Sequence, residues 1–69
     1  MKKIIVVKFG LDDTAQISWY DEDNCFRRKT CVHAGKAMVW MAKTEYSWTW
    51  EKDLETGEEW AWCEIGNEL

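Results

Sequence analysis

The stretch that most limits what this chain can fold into is Tyr46 to Ile65, Y-S-W-T-W-E-K-D-L-E-T-G-E-E-W-A-W-C-E-I, which holds four of the six tryptophans. Tyr46, Trp48 and Trp50 alternate with Ser47, Thr49 and Glu51, a period of two that fits a pleated, half-buried surface. Asp53 to Gly57 carries turn chemistry: an aspartate that can accept from backbone amides ahead of it, and a glycine that takes positive φ without steric cost. Trp60, Trp62 and Glu64 then alternate with Ala61, Cys63 and Ile65. The segment predicts a β-hairpin.

Loop length decides which faces meet. A four-residue loop, Leu54 to Gly57, pairs Asp53 with Glu58, Trp50 with Ala61, Trp48 with Cys63 and Tyr46 with Ile65. Each large ring then lies beside a smaller residue, which favours dense packing. Trp60 and Trp62 fall on the opposite face, beside Glu51 and Thr49. A three-residue loop shifts the register by one and gathers all four tryptophans on one face. The four-residue loop is the preferred reading, and it points two indoles away from the core.

The rest of the chain supplies the sheet and one helix. Residues 2–9 are apolar on both sides, with Ile4 and Val6 opposed to Ile5, Val7 and Phe9, which is the pattern of a central strand. Gly10 to Asp13 is a turn, residues 14–20 a second strand, and Asp21 to Asn24 a polar turn. Residues 25–33 lack an apolar stripe at helical spacing and read as a third strand. That strand would carry Phe26, Arg28, Thr30 and Val32 on one face, with charges suited to an edge. Residues 34–45 form the helix, with Ala34, Ala37, Met38, Met41 and Ala42 as its stripe and Val39 and Trp40 widening it. Gly66 to Leu69 is expected to fray.

The fold class is therefore α+β: one small domain over residues 1–69, an antiparallel sheet in the order βββαββ, with one helix on one face. Short turns make the first three strands a meander, and the helix returns the chain so that the hairpin joins the first strand's free edge. The spatial order is third, second, first, fifth, fourth. A helical 25–33 would instead give ββαββ, a β-grasp-like arrangement. One helix covers one face only, so the other face is expected to expose apolar groups and to seek a partner or a second copy.

Sixty-nine residues make a small core, and the tryptophans supply volume to it. A hydrophobic content of 46% beside 32% charged residues argues for a folded chain. Three scattered cysteines suit a reducing cytoplasm better than a disulfide scaffold. The apolar run Ile4 to Val7 is too short for a signal core or a membrane span. Charge is uneven: residues 1–44 hold eight basic and five acidic side chains, a balance of +3, and residues 45–69 hold one basic and eight acidic, a balance of −7. Glu51, Asp53, Glu55, Glu58 and Glu59 crowd the hairpin tip with Lys52 alone against them. Such a prong suits a basic cleft.

Chemistry-bearing sets are weak. Cys25, Cys31, His33 and Cys63 match the count of a Cys₃His zinc site, but Cys25 and Cys31 would lie about 20 Å apart along a strand. No metal or cofactor is expected. Cys31 or Cys63 with His33 lacks an orienting carboxylate and an oxyanion loop, so no enzyme is expected. Arg27, Arg28 and Lys29 near aromatics could touch phosphate while Trp60 or Trp62 stacks on bases. The negative net charge opposes this.

In size and composition the chain resembles short accessory proteins of phages and mobile elements, many of which are small α+β domains that inhibit a host complex by binding it. The resulting expectation is a cytoplasmic, non-enzymatic binding protein. It would inhibit a host nucleic-acid-handling defence complex through Trp60, Trp62 and the acidic residues 51, 53, 55, 58 and 59, on a partner with a basic surface. The alternatives are a nucleic-acid-binding module and a structural or regulatory homodimer through the open sheet face.

Overall fold

The computed structural model describes residues 2–21 and 23–66, with Lys2 and Lys29 described by their backbone alone. The elements run β1 (Lys2–Phe9), β2 (Thr14–Asp21), β3 (Phe26–His33), α1 (Ala34–Thr44), β4 (Thr49–Lys52) and β5 (Glu59–Gly66). They form a five-stranded sheet in the order β3-β2-β1-β5-β4, antiparallel throughout. The fold is the expected α+β arrangement, and the stretch expected as a strand over 25–33 forms one from Phe26 to His33, with Cys25 just before it. Gly66 closes β5 instead of fraying; residues 67–69 lie outside the described residues.

β1 is central because both of its faces are apolar. Ile5 and Val7 sit in the core at 6% and 0% exposure with Ala15, Ile17, Ala61 and Cys63 from the flanking strands. Ala37 and Met41 of α1 close that core from above. Burying a side chain of this size contributes about 1.5–3 kcal/mol. α1 lies over β2 and β3. The part of the core nearer β5 and β4 is capped by rings: Trp40 and Trp48 meet at 5.9 Å, and Phe9 stacks on Trp50 at 5.6 Å and 18°.

The hairpin turn is built as its sequence suggests. The Asp53 Oδ1 accepts from the Glu55 and Thr56 amides at 2.9 and 3.4 Å. The Asp53 amide donates to the Glu58 carbonyl, the Gly57 amide to the Asp53 carbonyl, and Gly57 takes φ +80°. This four-residue loop sets Trp50 opposite Ala61, Glu51 opposite Trp60 and Thr49 opposite Trp62.

Three further expectations need correction. Tyr46 and Trp48 stand outside the ladder, which starts at Thr49. Trp48 is held by the helix end instead, donating its Nε1–H to the Met41 carbonyl at 3.4 Å and packing on Trp40, with Tyr46 beside it. The buried side of α1 is also rotated. Ala37 and Met41 are buried and Trp40 is half-buried, while Met38 and Ala42 are exposed. The contact of Trp40 with Trp48 explains the turn: the larger ring takes the inward position. Finally, β3 is bulged at Arg27. Tyr20 pairs with Phe26 and Trp19 with Arg28, so Phe26 leaves the face shared by Arg28, Thr30 and Val32.

A candidate protein-docking face

Paired residues in a sheet point to the same side, so the register defines the face opposite the helix. Ile4 pairs with Tyr20 and Glu64, Val6 with Ser18 and Trp62, and Lys8 with Gln16 and Trp60. Glu51 and Thr49 extend these rows on β4, and Phe26 extends the Tyr20 row on β3. The result is an apolar strip across four strands: Phe26 and Tyr20, then Ile4 and Val6, then Trp62 and Trp60. The Phe26 and Tyr20 rings meet at 5.5 Å. Among the described residues no second layer lies over it.

Trp60 and Trp62 do lie on this open face, as expected, but they are half-buried and not fully exposed. Ile4 and Val6 are half-buried as well. Phe26 is the most exposed ring here at 52%, and sequence reasoning missed it. Its position depends on the bulge, which is set by side-chain bonds of Asp21. The Asp21 Oδ1 accepts from the Asp23 and Cys25 amides at 3.0 and 2.9 Å, and its Oδ2 accepts from Arg27 Nε at 2.9 Å. These bonds, the Cys25 amide first and Arg27 next, hold the Asp21 carboxyl below its ordinary pKa.

The acidic residues are divided between the two sides of the hairpin and its tip. Asp53 is committed to the turn. Glu55 is exposed at the tip. Glu59 pairs with Phe9 and Lys52 and so belongs to the helix side. Glu51 lies on the open side beside Trp60. Glu58 neighbours the Lys8 ammonium at 3.9 Å, so Lys52 is not the only cation near the tip. The acid that borders the aromatic strip is therefore Glu51, Glu58 and Glu64.

The basic set is dispersed. Arg27 is engaged by Asp21. Arg28 lies over the Trp19 ring at 5.7 Å on the helix side, with Lys3 over the same ring at 5.9 Å. The Lys29 side chain lies outside the described residues. Neither described arginine stands beside Trp60 or Trp62. The cysteines are separated too: Cys25 and Cys31 are exposed, and Cys63 is buried on the helix side, where burial pushes its thiol pKa up. Among the described residues no three His, Cys, Asp or Glu side chains are grouped to share a metal. His33 caps α1 with its backbone and has no access to the buried Cys63, which faces the other side of the sheet.

Surface depressions lie at the turn end of the sheet. One of about 570 Å³ is lined by Asp13, His33, Gly35, Lys36 and Val39; another of about 390 Å³ is bounded by Lys8, Leu11, Asp12, Gln16 and Glu58. In the second, the Thr14 hydroxyl donates to the Asp12 carboxylate at 2.5 Å. Among the described residues no helix is long and apolar enough to cross a membrane. No family model, curated protein or solved structure matches the chain.

Proposed function

We propose that this protein is a small cytoplasmic binding protein without catalytic activity, which docks onto a larger protein through the uncovered face of its sheet. The observation that carries this reading is the strip of Phe26, Tyr20, Ile4, Val6, Trp62 and Trp60, which has no layer above it among the described residues. Contiguous apolar surface of this kind on a small protein marks an interaction site. Tryptophan and tyrosine are the residues that dominate binding energy when a partner desolvates them.

The acidic hairpin beside the strip favours a basic target. A groove that ordinarily holds nucleic-acid phosphate has that chemistry, and filling it would inhibit a nucleic-acid-handling complex in the manner of phage and mobile-element accessory proteins. Direct nucleic-acid binding is the weaker reading, because carboxylates border the two indoles while Arg27 and Arg28 are engaged elsewhere. The free thiols Cys25 and Cys31 fit a reducing compartment.

The test is capture from the native host lysate, identification of the captured protein, and reconstitution with that protein purified. Wild type is expected to form a stable complex, and the Trp60→Ser/Trp62→Ser variant to stay folded and lose it. A double variant that binds the purified partner as tightly as wild type refutes the docking face. So does a wild-type protein that only pairs with itself.

A further inference from the structure

Resting on that docking face, we infer that its Trp60–Trp62 half is a receptor for cationic side chains, and that its occupant is an arginine- or lysine-bearing segment of the partner protein. Along β5 the residues Trp60, Trp62 and Glu64 share the open side, since they alternate with Glu59, Ala61, Cys63 and Ile65, and Glu58, just before the strand, reaches Lys8 of that side. Glu51 of β4 stands directly opposite Trp60, so its Cβ lies about 5 Å from that of Trp60. Three carboxylates thus frame two indoles. Lys8 stands opposite Trp60 on β1, and its ammonium is turned to Glu58 at 3.9 Å.

An indole face attracts a cation held within about 6 Å of its centroid. The same chain uses this contact on its other face, where Lys3 and Arg28 lie over Trp19 at 5.9 and 5.7 Å. Among the described residues no cation lies over Trp60 or Trp62. A guanidinium or ammonium from outside would meet both halves of what it needs: a ring for its flat face or stem, and a carboxylate for its donors. The two indoles are about 7 Å apart along the strand, which is also the spacing of alternate residues in an extended segment.

Other occupants fit less well. A nucleic-acid strand stacking on the indoles would bring its phosphates against Glu51, Glu58 and Glu64. A second copy of this chain has Arg27 held by Asp21 and Arg28 held over Trp19, and it carries Lys36 and Lys43 on a helix and not on an extended segment.

The test uses the intact protein and a peptide of alternating arginine and serine, followed by the indole N–H resonances of Trp60 and Trp62. Binding is expected to shift both resonances and to weaken as salt rises. Glu51→Lys is expected to weaken it about ten-fold, because it reverses a charge beside the cation. Glu55→Lys makes the same change in net charge at the exposed tip, away from the indoles, and should leave affinity within about two-fold. Trp60→Ala should cost about ten-fold, the scale of one desolvated cation–π contact. The inference is overturned if the peptide does not bind, or if its citrulline counterpart binds as tightly. Equal weakening by Glu51→Lys and Glu55→Lys also overturns it, since bulk charge would then explain the attraction. A thymidine oligonucleotide that binds the same indoles in preference to the peptide does so as well. Should the peptide fail while Trp60→Ser/Trp62→Ser still abolishes the complex with the purified partner, the cation receptor falls and the docking face stands.

Discussion

The two faces of this sheet share strands and residue types yet differ in what lies above them. On β1, Ile5 and Val7 are sealed in the core while Ile4 and Val6, one position away, stay half-buried. The tryptophans of the two faces differ in their partners. On the helix side Trp48 bonds the Met41 carbonyl, Trp50 stacks on Phe9, and Trp19 holds two cations. On the open side Trp60 and Trp62 have carboxylate neighbours and no described layer above. On β1 burial follows from the layer overhead and not from the residue, whereas Trp50, on the edge strand β4, stays 47% exposed although it faces the helix side. A strand apolar on both sides in a sheet with one helix therefore leaves one apolar face without a layer over it among the described residues.

The comparison is most easily broken through the methionines of α1. Met41 is buried and Met38 is 49% exposed. Met41→Ala should cost about 2–4 kcal/mol of stability, a large share for a domain of this size. Met38→Ala should change it by less than about 0.5 kcal/mol. Urea unfolding of the two variants measures both. Similar losses would mean that α1 sits in another rotation and that the helix side is not the core.

Thiol chemistry sharpens the same contrast without altering the fold. Cys31 is exposed on the open side and Cys63 is buried on the helix side with its pKa raised by burial. Under native conditions an alkylating reagent should modify Cys25 and Cys31 within the time of a simple incubation. Cys63 should react only as the domain opens. Peptide mapping by mass spectrometry reads the three rates. Equal rates at Cys31 and Cys63 would contradict a sealed core.

The smallest effect concerns Asp21, which holds the bulge that brings Phe26 onto the open face. Its folded pKa lies below the ordinary value, chiefly through the Cys25 amide and then Arg27. A depressed carboxylate contributes stability above its unfolded pKa and loses that contribution as pH falls through the folded value. Wild type should therefore lose this part of its stability below about pH 4. Asp21→Asn should be slightly less stable at neutral pH, with a flatter acid limb. In that variant the Phe26–Tyr20 contact, followed by nuclear Overhauser effects, should weaken.

Much of this architecture is legible in the sequence because it rests on local rules. The doubly apolar β1, the short turns and the Asp53–Gly57 loop together determine the strand order and the hairpin register. They also determine that Trp60 and Trp62 share the open side. What escapes is set by side chains acting across the fold. The bulge at Arg27 depends on four bonds to one carboxylate. The helix rotation depends on Trp40 meeting Trp48. The division of the acidic tip depends on parity along β4 and β5 and on Lys8 reaching Glu58. Composition signals a crowd of carboxylates at the tip, but only pairing reveals which of them border the indoles.

The most direct measurement is equilibrium unfolding of the Trp60→Ser/Trp62→Ser variant, set beside Met41→Ala. If the open face is an interface and not a second core, the double variant keeps a cooperative transition with an unchanged denaturant slope. Its amides at residues 4–7 remain among the slowest to exchange, and its loss, about 1–2 kcal/mol, reflects only partly buried rings. A double variant that fails to fold, or that loses more than Met41→Ala, would contradict the account by making the two tryptophans part of the core.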